Sequence, residues 1–223
     1  MNLVSLPSPP AVVGHLRADE RALRTATGAE FVAVARDRQL LIRTLARNAK
    51  EAAAVLKLAP GERDDLEAGR DLNELSAESP PQVGGVSVGP ARQASKVLSF
   101  YREAQRRFGI RWELLAAINF VESDFGRART AATADAQGPM QFEPATWREY
   151  GIGGDVYNLH DAILAAANLL AANGGRTKER AALMHYNPSP LYWDAVLHLA
   201  HRMAAMPTAF REYYAWKRYL RKS

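Results

Sequence analysis

Apolar positions recur along this chain at steps of three and four, the spacing of a helix face buried on one side. Phe31, Val34, Arg38, Leu41, Leu45, Ala49, Ala52 and Leu56 trace one face of a long predicted helix that Pro60-Gly61 stops. A second, more acidic helix is expected from Glu62 to Leu75. Ser79-Pro80-Pro81 and Gly84-Gly85 then read as a linker. Beyond it a helix is expected from about Pro90 to Phe108, with Val97, Tyr101 and Ala104 inward and Gly109 as its cap. Leu114, Leu115, Ile118, Val121 and Phe125 predict the next, ended by Gly126. Shorter helices follow from Pro144 to Gly151, from Asp161 to Ala172 behind an Asn158 cap, through Ala181–Met184, and from Leu191 to Met206 after Ser189-Pro190. With no strand run and no repeat, the pattern predicts an all-α protein.

Composition narrows the class. At 223 residues and 48% hydrophobic the chain can bury a core for one domain or two, and no run is apolar enough to span a membrane. Residues 1–12, rich in Pro and Ser, are expected to be poorly ordered. The opening MNLVSLPSPPAVVG lacks a basic start followed by an apolar core, so a secretory signal is not expected there. The charge of +5 divides as 11 − 12 = −1 over residues 1–90, 13 − 11 = +2 over 91–206 and 5 − 1 = +4 over 207–223. An excess confined to a short tail argues against a nucleic-acid-binding face. The absence of cysteine excludes disulfides and thiolate metal sites. His15, His160, His185, His198 and His201 show no zinc spacing, and there is no phosphate loop or dinucleotide fingerprint. Neither a metal nor a cofactor is expected.

The candidate chemistry lies between Glu122 and Phe142. Glu122 shares a face with Ile118, Val121 and Phe125, where a carboxylate is costly without partners or a task. The simpler reading is an acid at the stripe's edge reaching out to water. Gly138-Pro139 is a sharp turn that would aim Met140 and Gln141 at whatever the loop covers. Tyr186-Asn187 ends a helix, where asparagine commonly caps.

Four stretches in order give these residues a shared meaning. They are Val121-Glu122-Ser123 with Phe125-Gly126; Ala136 to Phe142 with Pro144-Ala145-Thr146-Trp147; Asp161-Ala162-Ile163 with Ala167-Asn168-Leu169-Leu170; and His185-Tyr186-Asn187-Pro188. Together they resemble the lytic transglycosylase family of bacterial cell-wall enzymes, over residues 92–206. The resemblance implies a lysozyme-like catalytic domain, placed at 86–206; helical spacing and the linker set a helical region at 1–85 before it and a basic aromatic helix at 207–223 after it.

It further implies peptidoglycan glycan strands as substrate, an extracytoplasmic place of action in the cell wall or as a secreted protein, and Glu122 as acid and then base. Ser123, Gln137, Met140, Gln141, Tyr186 and Asn187 are the expected substrate-binding residues. In this family the sugar's own N-acetyl group attacks, and a 1,6-anhydro end forms without water. A hydrolase would need a second carboxylate, for which Asp135 is the nearby candidate. A wall-binding module without turnover is the non-enzymatic alternative. Two positions depart from the family pattern: Ala132 where a hydroxyl residue is common, with Thr130 and Thr133 beside it, and Asp135 where a glycine is usual. A monomer is expected. In the tail, Phe210, Tyr213, Tyr214, Lys217 and Leu220 share one side while Arg211, Arg218, Arg221 and Lys222 charge the rest. Packing of the aromatic side on the rest of the chain is favoured over contact with anionic wall polymers or a membrane surface.

Overall fold

The structure is a computed structural model and describes residues 6–78, 87–88, 90–129 and 136–216. It opens with α1 (Pro9–Thr25), α2 (Gly28–Ala46), α3 (Ala49–Leu58) and, after a 3-10 turn at Pro60–Glu62, α4 (Arg63–Glu78). Next come α5 (Ala94–Phe108), α6 (Trp112–Ser123), α7 (Pro144–Tyr150) and α8 (Leu159–Ala172). The chain closes with α9 (Glu179–Met184), α10 (Pro190–Ala205) and α11 (Ala209–Ala215). The fold is all-α, as the periodicity predicts. Among the described residues the one sheet is a two-residue antiparallel pair, β1 (Ser87–Val88) with β2 (Ala128–Arg129). The expected linker at Ser79-Pro80-Pro81 and Gly84-Gly85 lies outside the described residues.

Two expectations about the N-terminal part are corrected. The first helix starts at Pro9, inside the stretch whose composition suggested poor order. Prolines fit a first turn, where a missing N–H costs nothing, and Val12 and Val13 behind them are buried. The long helix from Phe31 to Leu56 is two helices. α2 stops at Ala46, and Asn48 opens α3 by accepting from the Glu51 N–H at 3.5 Å. The apolar spacing runs through the break because Leu45 and Val55, on either side of it, are buried in the same core.

That core is one hydrophobic cluster running from Val12 to Trp216. α10 lies at its centre, against α4 on one side and α6 on the other, while α5 packs on α8 and α6. α2 packs on α1, α4 and α11. α11 turns Phe210, Tyr213 and Tyr214 inward onto Tyr101, Trp112, Phe120 and Phe125. The aromatic side of the tail is therefore buried, and the Arg211 guanidinium sits 4.2 Å from the centre of the Phe31 ring. Lys217, Arg218, Leu220, Arg221 and Lys222 lie outside the described residues.

An ionic cluster is sealed where α2, α4, α10 and α11 meet. Arg38, fully buried, donates to Glu62 at 2.5 Å, Asp65 at 2.7 Å and Glu212 at 2.9 Å. Arg202 Nε stands 3.1 Å from Asp65, and the Tyr213 hydroxyl donates to Asp65 as well. Three carboxyl groups thus face two guanidinium groups. Buried charge is tolerated only when balanced. Burial pushes the Glu212 carboxyl up to about 8, against the attraction of Arg38, so a proton there brings the cluster to neutrality near pH 7.

Candidate active site

α6 delivers Glu122 at its last turn. The helix ends at Ser123, and the chain then takes two non-glycine residues in the left-handed region, Asp124 (φ 54°) and Phe125 (φ 60°), before Gly126 (φ 79°). Each such residue costs about 1–2 kcal/mol. The turn is held by the Asp124 N–H on the Phe120 carbonyl at 2.9 Å and the Phe125 N–H on the Asn119 carbonyl at 3.1 Å. An ion pair from Arg127 to Asp124 at 2.5 Å adds to it. The stop thus precedes the expected Gly126, and the helical spacing that set Phe125 one turn beyond Glu122 does not apply. The Phe125 ring instead packs on Phe120, Phe210 and Tyr214.

The early stop turns Ser123 inward, to 1% exposure. Its Oγ donates to the Pro139 carbonyl at 2.5 Å and accepts from Asn119 Nδ2 and the Gly126 N–H. Asn119 Nδ2 reaches the same carbonyl at 2.8 Å, and Tyr101 donates to Asn119 Oδ1 at 2.6 Å. A buried chain of hydrogen bonds therefore runs from α5 through α6 to the Gly138-Pro139 turn. Ser123, expected to bind substrate, positions that turn.

The turn is closed by paired backbone bonds between Gln137 and Phe142, at 2.8 and 2.9 Å. A Cβ on Gly138 (φ 70°) would stand 1.9 Å from the Val156 carbonyl oxygen, so the turn admits only glycine there. Met140 is fully buried; its side chain enters the core and its carbonyl accepts the Tyr186 hydroxyl at 2.6 Å. Gln137 acts through its backbone. Gln141, itself left-handed at φ 52°, is half-buried, and its Nε2 donates to the Gly138 carbonyl at 2.8 Å.

Glu122, Gln141, Tyr186 and Asn187 come together on a cleft of about 320 Å³. Ser123, Gln137 and Met140 do not line it. The Asn187 side chain accepts the Ser189 N–H at 3.0 Å just ahead of α10, and its carbonyl accepts Trp193 Nε1. Two further residues complete the site, and the sequence reading missed both. Tyr192, on the first turn of α10 and 2% exposed, donates to Glu122 Oε1 at 2.6 Å. Its ring stacks parallel to that of Tyr186, with centroids 6.4 Å apart. Burial and then the charge of Glu122 raise the pKa of both phenols, which keeps them protonated and able to donate. The second is Glu143, an exposed carboxylate lining the same cleft. Thr130, Ala132, Thr133 and Asp135 lie outside the described residues. A larger cavity, about 510 Å³, opens among α2, α4, α6 and α10 and holds none of the expected site residues.

The arrangement offers a half-buried carboxyl group oriented by a phenol, in an open cleft with amide side chains at its rim. Residues 99–192, from within α5 to Tyr192, match the family model described as the transglycosylase SLT domain. None of the curated proteins and none of the solved structures matches the chain. The matched segment is thus of the lytic transglycosylase type, lysozyme-like and all-α, and it contains every residue assigned to the cleft above. Its function is of the transglycosylase type, directed at peptidoglycan.

Proposed function

We propose that this transglycosylase-type domain cleaves the MurNAc-GlcNAc bond of peptidoglycan and leaves a 1,6-anhydro-MurNAc end, with Glu122 as its acid and base. In the first step the Glu122 carboxyl gives its proton to the glycosidic oxygen while the carbonyl oxygen of the 2-acetamido group attacks C1, forming an oxazolinium and releasing the GlcNAc end. In the second, the Glu122 carboxylate takes the proton of the sugar's 6-hydroxyl as that oxygen attacks C1 and opens the oxazolinium. The carboxyl regains its proton, and no water is consumed. Tyr192 fixes the carboxyl's orientation throughout, Gln141 is offered to the sugar at the turn, and Tyr186 and Asn187 form the facing wall.

The observation that carries this reading is the Tyr192–Glu122 hydrogen bond in the cleft, beside Gln141 and Tyr186. Glu143 on the same cleft supports one rival, a muramidase in which a second carboxylate activates water. Parallel assays on purified walls separate them. With one acid, Glu122→Gln abolishes lysis while Glu143→Gln and Asp135→Asn keep rates within a few-fold of the parent protein. Collapse of activity in Glu143→Gln or Asp135→Asn, with reducing ends on the products, favours the hydrolase. Undiminished lysis by Glu122→Gln removes the assignment altogether.

A further inference from the structure

We propose that His15, Asp19 and Asp37 form a binding site for a divalent transition-metal ion of the zinc type, clipping α1 to α2. The inference is independent of the reading of the cleft. His15 and Asp19 are four residues apart on α1 and so share a face, and Asp37 reaches in from α2. His15 Nε2 lies 2.8 Å from Asp37 Oδ2 and 3.5 Å from Asp19 Oδ2. One ligand atom from each residue falls within 4.8 Å of the others. In a tetrahedral site with bonds of about 2.0–2.1 Å, ligand atoms stand roughly 3.3–3.5 Å apart. Small rotations of His15 and Asp37, both exposed, bring the trio to that spacing, with water in the remaining position. One imidazole nitrogen and two carboxylate oxygens suit zinc and its neighbours in the first transition row.

Asp19 supplies the second observation. It is 8% exposed, and its Oδ2 is sealed from solvent without a hydrogen-bond partner among the described residues. Its ion-pair neighbour among those residues is the His15 ring. A surface hydrogen bond between His15 and Asp37 accounts for those two side chains but leaves the buried Asp19 oxygen without a donor, which is costly. A cation between the three satisfies it. The nearby guanidinium of Arg38 donates through Nε and Nη2 to Glu212, Glu62 and Asp65, and its Nη1 makes no hydrogen bond to Asp19 among the described residues.

The test uses the untagged full chain, stripped with chelator and titrated near neutral pH with zinc or cobalt(II) chloride. Zinc in excess is expected to raise Tm by several degrees, at about 2–4 °C per kcal/mol of binding free energy for a chain of this size. Cobalt is expected to give the visible absorption of a four-coordinate site, saturating at a single equivalent. His15→Gln and Asp37→Asn, both at exposed positions, should lose both signals while melting in chelator close to the parent protein. Asp19→Asn should lose them too, and His198→Gln, which removes the ring paired with Asp64 at 3.0 Å, should keep them. No saturable signal from the parent protein, or full binding by the His15→Gln/Asp37→Asn double variant, overturns the site.

Discussion

Glu122 and Asp65 each accept a hydrogen bond from a buried tyrosine, yet their surroundings commit them to different work. At Glu122 the donor is Tyr192, and the carboxyl opens on the cleft. At Asp65 the donor is Tyr213, and the carboxyl is 2% exposed between Arg38 and Arg202. Burial alone would raise the Asp65 pKa, but the charges of Arg202 and Arg38 outweigh it and hold the group ionised. A carboxyl locked in that way ties helices together and exchanges no proton. The pair in the cleft keeps the tyrosine and leaves the carboxyl on an open wall. On the proposed reading, the difference between a structural and a chemical carboxyl here is what else surrounds the shared motif.

The sharpest way to break this comparison is to remove one ionisable group from each. Glu122→Gln should lower the rate of wall lysis by about 10²–10⁴-fold or more, with Tm unchanged, since in the proposed reaction one group serves both proton transfers. In the sealed cluster, Arg38→Ala should lower Tm by about 6–20 °C, because it strands several carboxyl groups in a dry interior. Thermal melts alone decide that case. If Arg38→Ala melts like the parent protein, the cluster does not join the N-terminal helices to α10 and α11.

The two tyrosines allow the same deletion on both sides. Tyr192→Phe should reduce the lytic rate by about 10–100-fold with little change in Tm, from loss of a hydrogen bond to a carboxyl group in the cleft. Tyr213→Phe should do the reverse, lowering Tm by about 3–12 °C and leaving activity per folded molecule unchanged. Equal effects of both variants on activity would erase the distinction.

The effect that is smallest per step is on pH dependence. Glu212 has a folded pKa of about 8 against an ordinary value of 4.5. The folded state holds its proton where the unfolded chain has released it, so this contribution to stability is complete below pH 4.5 and is lost as pH rises through 8. Asp65, whose pKa is lowered, contributes in the opposite sense, losing stability as pH falls below the ordinary carboxylate range. Between pH 5 and 8, Tm should therefore decline by about 3–5 °C per pH unit from Glu212. Glu212→Gln should flatten that slope, and a slope equal to the parent's in Glu212→Gln would reject the shared-proton account.

The sequence was most informative where a feature is local. Glu122, Gln141, Tyr186 and Asn187 sit in short stretches whose turns and caps are written in neighbouring residues, and they meet at the cleft. The same local logic misled at Ser123 and Met140, which face the core. Their orientation depends on Asp124 and Phe125 adopting left-handed backbone, a choice stabilised by Arg127 and by aromatic packing with α11 rather than by glycine. Tyr192 escaped notice because its partner is 70 positions away and meets it only where α10 crosses α6. Arg38 did leave a trace, a charge within an otherwise apolar face. What that trace could not give was the identity of Glu212, brought to it from α11 by the packing of the whole core.

The most direct test of the central claim is the mass of the muropeptides released from purified peptidoglycan. If Glu122 acts alone, with the sugar's own 6-hydroxyl as nucleophile, the products end in 1,6-anhydro-MurNAc, lighter by one water than hydrolysis products, and take up no label from isotopically heavy water. Products with reducing ends that carry the label would contradict that account.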